Sequence, residues 1–170
     1  MKTISVLFGT LLFLQGCTYA ISPPMAEKAA KDVPFEKLQT DPGAFIGKLL
    51  ILGGTIAQTT NTKQGTVIEV VQKRLDYWGK PERTRRSGGR FLVFQPGYLD
   101  PMVFAPGRDI TVAGEVLEPN TPVLGEQHTD YIVVLSKEYR LWELERPSWN
   151  RPQWFDPLYD TRNADPRMPE

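Results

Sequence analysis

Cysteine and histidine are almost absent from this sequence. Its 170 residues contain one cysteine, Cys17, and one histidine, His128. A single cysteine cannot form an intrachain disulfide and excludes a zinc site built from several cysteines. A single histidine argues against a histidine-built metal site and against a Ser-His-Asp arrangement. We therefore expect a protein with no metal, no cofactor and no enzymatic activity; a carboxylate pair meeting in a cleft is the remaining catalytic alternative.

Neither sign of charge is in excess. Lys and Arg number 20, and Asp and Glu also number 20, which gives no reason to expect global attraction to nucleic acid or to an anionic membrane. Apolar residues make up 41% of the chain, a fraction that supports an ordinary core. This length predicts one domain with a short appendage.

The first apolar run is too short for a permanent membrane span. It covers Ile4 to Leu14 and follows the positively charged start Met1-Lys2. As a helix this run would be about 16 Å long, whereas the hydrocarbon core of a bilayer is roughly 30 Å thick. A positive start, a short apolar run and the small residue Gly16 are typical of a signal peptide, which we place at residues 1–16.

Cys17 follows this signal peptide directly. A lone cysteine can be a core residue, a reactive thiol or a point of covalent attachment. The sequence Leu14-Gln15-Gly16-Cys17 resembles the lipobox of bacterial lipoproteins, although Gln15 is larger than the usual residue. That resemblance implies cleavage before Cys17, a diacylglycerol on its sulfur and an acyl chain (N-palmitoyl) on its new amino terminus. The alternative is an ordinary secreted protein with a free cysteine near its end.

The residues after Cys17 indicate where a lipidated chain would reside. In the lipoprotein class, an aspartate after the cysteine favours retention in the inner membrane. Thr18 stands there instead, so the resemblance implies the outer membrane, on its periplasmic face by default. Residues 17–33 contain Pro23-Pro24 and no sustained apolar period. We predict that they form a flexible tether spanning about 22 Å.

Residues 34–145 are expected to form one mainly β domain. A short helix is predicted from Pro34, ending near the turn Asp41-Pro42-Gly43. Strands are predicted at 49–60, 66–72, 90–95 and 109–117, with 130–136 and 139–145 as a fifth strand or a kinked pair. Gly53-Gly54 suggests a bulge or a bend. We favour a small antiparallel OB-like barrel of five to six strands, with a two-sheet sandwich as the alternative.

Two local patterns predict packing. The alternation in 109–117 predicts a buried face with Ile110, Val112 and Val116 and a wet face that includes Thr111. Before this strand, Asp100 is expected to cap a turn and Arg108 to pair with it.

Residues 146–170 form a segment rich in proline and aromatic residues. Proline at this density prevents sheet pairing. The aromatic residues from Trp149 to Tyr159 could engage a partner, but we favour a strap that packs on its own barrel.

A basic stretch runs from Lys73 to Arg90. It carries seven basic and two acidic residues, a local net charge of +5, with two aromatic residues interleaved. On an OB-like barrel this pattern suits an anionic ligand. The candidate binding residues are Tyr77, Trp78, Arg83, Arg85, Arg86 and Arg90, which we expect to converge on one concave surface. The alternative is a solvated loop whose charges keep the protein soluble.

The order of several motifs resembles one known family. After the lipobox come GGTIAQTTN (53–61), GTVIEVVQKRLD (65–76), SGGRFLV (87–93), YLDP (98–101), PGRDITVAGEV (106–116) and RLW (140–142). This order is similar to the Slp family of outer-membrane lipoproteins, which is named for induction on carbon starvation. The resemblance covers roughly residues 17–142.

The resemblance implies a stress-related lipoprotein of the Gram-negative envelope and supplies no catalytic residue. Two hypotheses follow. The first is a non-enzymatic lipoprotein that contributes to envelope integrity through contacts with an envelope protein or glycan. The second is a periplasmic binding module for an anionic ligand, either a glycan or a phosphorylated lipid headgroup. Neither hypothesis involves nucleic acid as a partner.

Overall fold

Five segments rich in β-branched or aromatic residues form the strands in the part of the chain that the structure describes. The structure, a computed structural model, describes residues 19–118 and 131–144. Its strands are β1 (Leu49–Asn61), β2 (Gly65–Lys73), β3 (Arg90–Pro96), β4 (Asp109–Val116) and β5 (Ile132–Leu141). Its helices are α1 (Pro23–Lys28) and α2 (Phe35–Thr40), followed by a 3-10 turn at Pro42–Phe45. The predicted fifth strand is one continuous strand.

The strands close into a barrel in the order β1-β2-β3-β5-β4. This confirms the predicted five-stranded barrel and excludes the two-sheet sandwich. The prediction of an antiparallel barrel needs one correction, because β3 and β5 run parallel from Phe91↔Ile132 to Phe94↔Leu135. In a closed ring with an odd number of strands, directions cannot alternate throughout, so at least one neighbouring pair must be parallel.

Inward-facing aliphatic side chains fill the barrel. Ile68, Val70, Ile110 and Val112 are each at most 1% exposed, and burying such a side chain contributes about 1.5–3 kcal/mol to folding. The other members of this core are Phe35, Leu38, Leu50, Leu52, Ile56, Phe91, Val93, Phe104, Val116, Ile132 and Val134. Helix α2 therefore belongs to the core, and its Phe35 ring lies 6.0 Å from that of Phe91 at the start of β3.

Gly54 lies where β1 pairs with both of its neighbours. It is opposite Gln72 of β2 and Ile110 of β4. A Cβ atom at position 54 would come within 1.9 Å of the Val71 carbonyl oxygen, so glycine permits this close approach of two backbones. The irregular pairing of β1 lies further along, between Ile56 and Gln58, so the predicted bulge is not at the two glycines.

The sequence predicted that the outward face of β4 contacts solvent. Thr111 and Ala113 on this face are instead both 0% exposed. Ala113 packs with Ala20 and Ile21 from the chain that precedes α1. Alternation along a strand predicts which side chains share a face, but only the rest of the fold decides whether that face is covered.

The N-terminal arm, residues 19–33, packs on the barrel. Ala20 and Ile21 are buried, and the backbone N–H and hydroxyl of Ser22 each donate to the Glu138 carboxylate, both at 2.7 Å. The amide of Ala30 donates to the carbonyl of Leu49 at 2.8 Å. The prediction of a flexible tether is therefore wrong for these residues. The sequence predicted one short helix, whereas the structure has two, α1 and α2. The domain boundaries themselves stay predictions.

The turn before β4 forms as predicted only in part. The Asp100 carboxylate accepts the N–H of Met102 at 2.8 Å and caps the turn. Arg108 instead donates to the backbone carbonyls of Trp142, at 2.9 Å, and Val103, at 2.8 Å. Because a guanidinium carries several N–H donors, Arg108 can bond both carbonyls at once. It thus connects the residue after β5 to the turn before β4.

Candidate functional site

A cleft of about 700 Å³ lies between the N-terminal arm, the start of α2 and the end of β2. Its walls come from four pieces of chain, residues 30–36, 50–53, 72–75 and 86–88. The loop at 86–88 is fixed by Gln72, whose side-chain oxygen accepts the Gly88 N–H at 2.9 Å. This volume falls within the range of small-molecule sites, roughly 300–1,000 Å³.

Charged side chains of both signs line the cleft. The basic ones are Lys73, Arg74 and Arg86, and the acidic ones are Asp32 and Glu36. The Lys73 ammonium also lies 3.6 Å from the Asp109 carboxylate. Guanidinium groups bind phosphate and carboxylate well because their donors form a planar fork. The cleft can therefore accept an anion chiefly through Arg74 and Arg86.

A short hairpin projects beside this cleft. This aromatic hairpin, residues 74–82, is closed by a bridge between Leu75 and Pro81. The Asp76 carboxylate accepts the amide N–H groups of Trp78, at 2.9 Å, and Lys80, at 2.8 Å. Gly79 takes a positive φ of 80°, which completes the turn because this conformation suits glycine.

The hairpin places two exposed aromatic residues against a third. Tyr77 is 79% exposed and Trp78 is 49% exposed, and their ring centroids are 5.2 Å apart. Tyr19 of the N-terminal arm is 43% exposed and lies 5.7 Å from the ring of Trp78. We call Tyr19, Tyr77 and Trp78 the aromatic triad.

The six candidate binding residues lie in different parts of the structure. Arg86 lines the cleft, whereas Tyr77 and Trp78 belong to the aromatic triad. Arg83 and Arg85 are exposed on the loop between the hairpin and β3. The structure therefore does not gather all six into the cleft, and ligand binding by them stays a prediction.

Arg90 pairs with the outer wall of the barrel. Its guanidinium lies 2.7 Å from the Glu69 carboxylate on β2. This hydrogen bond, together with the negative charge of Glu69, raises the pKa of Arg90 above its ordinary value. Arg90 is thus positively charged and already has an anionic partner.

The contacts of several residues near the site could not be predicted from the sequence. Thr111 donates to the Gly79 carbonyl at 2.6 Å and accepts the Trp142 indole N–H at 3.0 Å. Tyr19 meets the hairpin only through the packing of the N-terminal arm. These contacts join residues far apart in the chain, so no local pattern could indicate them.

Cys17 and His128 lie outside the described residues. Within residues 19–118 and 131–144, no group of three or more His, Cys, Asp and Glu residues is arranged to hold a metal ion. In the same two ranges, no helix is both long enough and apolar enough to cross a membrane.

Comparisons with known proteins give consistent results. The model of a family described as "Outer membrane lipoprotein Slp family" matches residues 14–165. The chain is similar to the outer membrane protein Slp of Escherichia coli, with 26% identity over 141 residues that cover 74% of this chain and 73% of that protein. It is also similar to an uncharacterized protein of Haemophilus influenzae, with 30% identity over 144 residues that cover 83% and 77%.

Among solved structures, the chain is similar to part of a Leishmania major protein assigned as an aspartyl-tRNA synthetase. The identity is 12%, the TM-score is 0.37, and the likeness covers 66% of this chain and 23% of that one. This chain therefore spans less than a quarter of the synthetase, and a TM-score this low carries no argument about function.

Proposed function

Because this chain belongs to the Outer membrane lipoprotein Slp family, we propose that it is a non-enzymatic lipoprotein anchored in the outer membrane by lipid on Cys17. The barrel lies on the periplasmic face and contributes to the integrity of the Gram-negative envelope. Its link to stress and starvation rests on the family resemblance. Comparing the level of the protein before and after carbon exhaustion tests that link.

The family match across the lipobox carries this proposal. The match starts at residue 14 and so includes Leu14-Gln15-Gly16-Cys17. Lipid attachment there gives a stable anchor, because each buried methylene contributes roughly 0.8 kcal/mol and one acyl chain alone binds only marginally. A diacylglycerol and an N-acyl chain together supply three chains.

Mass spectrometry and membrane fractionation of the full-length chain expressed in a Gram-negative host test the anchor. The wild type is expected to start at Cys17, to carry the mass of three acyl chains and to fractionate with the outer membrane. Cys17→Ser is expected to lose both the added mass and the membrane location. Thr18→Ser is the matched control and should behave as the wild type.

Sorting is tested separately by Thr18→Asp. If the lipoprotein rule applies to this chain, this variant moves to the inner membrane while keeping its lipid. An unmodified, soluble wild-type chain would contradict the anchor, whereas a lipidated Thr18→Asp chain that stays in the outer membrane would contradict only the sorting rule.

A second function is favoured by the cleft. Its volume and the guanidinium groups of Arg74 and Arg86 suit an anionic ligand of the envelope. Calorimetric titration with glycerol phosphate, beside an oligosaccharide that carries carboxylate groups, distinguishes a headgroup from an anionic glycan. Arg86→Gln is expected to weaken glycerol phosphate binding about tenfold, the loss of one charge-assisted hydrogen bond. Lys63→Gln, on an exposed turn, is the control and should bind normally. Absence of saturable binding, or equal affinity in both variants, would contradict this function.

A further inference from the structure

The aromatic triad is a continuous exposed surface. Its three rings are 43–79% exposed, and all three pairs of centroids lie within 6.4 Å. Single exposed apolar residues are ordinary on protein surfaces, whereas adjacent ones mark sites of contact. Tyr and Trp carry both a large apolar ring and a polar group, so they suit a boundary between water and an apolar phase.

The backbone beneath the triad is held by specific hydrogen bonds. The amide of Ala20 donates to the Trp78 carbonyl at 3.1 Å, which joins the N-terminal arm to the aromatic hairpin. The Thr111 hydroxyl donates to the Gly79 carbonyl at 2.6 Å, which joins the hairpin to β4. The three rings are therefore presented together by the barrel wall.

The triad lies next to the point of lipid attachment. Tyr19 is two residues after Cys17, and two residues of fully extended chain span at most about 7 Å. Acyl chains on Cys17 would enter the bilayer at a point that close to Tyr19. This step rests on the proposed function, because it takes Cys17 as the lipidated residue.

Two cationic groups surround Trp142, which is linked to the aromatic hairpin through Thr111. The Lys80 ammonium lies 5.5 Å from the centroid of the Trp142 ring, and the Arg140 guanidinium lies 4.7 Å from it. The Trp142 indole shares its hydrogen-bond partner Thr111 with Gly79, so this group borders the hairpin. The carboxylates of Asp76 and Glu138 are engaged in internal hydrogen bonds. Cations beside aromatic rings match the phosphate layer above the acyl chains.

We propose that the aromatic triad docks the barrel on the phospholipid surface, with Trp78 and Tyr77 at the level of the headgroups. The N-terminal arm then acts as a short fixed strut, and lipidation sets the orientation of the barrel as well as its location. The cleft beside the hairpin consequently lies near the membrane surface.

The test attaches the chain to vesicles chemically. The mature chain, residues 17–170, has one thiol and is coupled through Cys17 to a maleimide phospholipid in vesicles of phosphatidylethanolamine and phosphatidylglycerol. Brominated phospholipids in these vesicles quench tryptophans that reach the bilayer. We expect quenching in the wild-type chain, and we expect Trp78→Phe to lose at least half of that quenching.

The controls separate docking from folding and from anchoring. Tyr98→Ser removes another highly exposed aromatic residue, at 74% exposure, and should leave quenching unchanged. Tyr77→Ser should reduce quenching of Trp78 because the neighbouring ring is lost. Each variant must keep the wild-type urea midpoint to be counted.

Equal quenching in the wild type and in Trp78→Phe would overturn the docking proposal, as would no quenching in the wild type. Because the coupling is chemical, neither result depends on lipidation of Cys17 in the cell. Conversely, an unmodified Cys17 in the cell would contradict the proposed lipid anchor, but it would not change what the quenching result says about docking.

Discussion

Thr111→Val is the substitution that best tests how the aromatic hairpin is held. The Thr111 side chain is fully buried, and its hydroxyl bonds the Gly79 carbonyl at 2.6 Å and the Trp142 indole N–H at 3.0 Å. Valine has nearly the same shape but no hydroxyl. It would leave one acceptor and one donor without their partner, and each such group costs about 1–3 kcal/mol when it stays dry.

The expected loss of stability is about 2 kcal/mol, toward the low end of the sum of those costs. The indole N–H of Trp142, a partly exposed residue, can recover a water. For a chain of this size, 2 kcal/mol lowers Tm by roughly 4–8 °C.

Urea unfolding of the mature chain, followed by tryptophan fluorescence, measures this change. Amide exchange at Ala20, whose N–H bonds the Trp78 carbonyl, should also accelerate, because the hairpin loosens first. Thr111→Ser restores the hydroxyl and should restore slow exchange even though it loses a methyl group. The exposed Thr40→Val is the matched control and should change stability by less than about 0.5 kcal/mol. A loss below that value in Thr111→Val, or slow exchange at Ala20, would refute the reasoning.

Three further outcomes are expected. Gly54→Ala should prevent soluble expression or cost more than about 4 kcal/mol in urea unfolding, because its Cβ would meet the Val71 carbonyl at 1.9 Å; a stable variant would contradict the close pairing of β1 and β2. Ser136→Ala should be neutral or stabilise by up to about 1 kcal/mol, since the buried Ser136 hydroxyl has no hydrogen-bond partner within the described ranges, and a marked loss would reveal a missing partner. Glu138→Ala should speed proteolytic cleavage of the N-terminal arm, because Ser22 loses both of its bonds to the carboxylate; unchanged cleavage would mean that apolar packing alone holds the arm.

The barrel was predictable because its strands carry strong local signals. β2 is rich in β-branched residues, and apolar and polar residues alternate along β4. Because turn residues flank the strands, the number of strands and their bounds could be predicted to within a few residues. An odd number of strands in a closed ring requires a parallel pair, but no local pattern indicates which two strands form it. The parallel pairing of β3 with β5 therefore appeared only in the structure.

The candidate site was predictable only in part. The basic stretch, with Tyr77 and Trp78 inside it, stands out by composition. The distribution of its members among the cleft, the aromatic triad and the Glu69 pair depends on how the hairpin and loop fold over the barrel wall. Tyr19 gave no signal, because its neighbours in space lie almost sixty residues away in the chain.

The sequence by itself determined the membership of the family, the resemblance of residues 14–17 to a lipobox and the β character of residues 49–117, since each rests on residues adjacent or alternating along the chain. Tertiary structure alone decided that the N-terminal arm packs on the outward face of β4 and carries Tyr19 to the aromatic hairpin. The physical reason is burial. Ala20 and Ile21 are too few to indicate a helix or strand face, yet they bury Ala113 of β4 against the barrel wall.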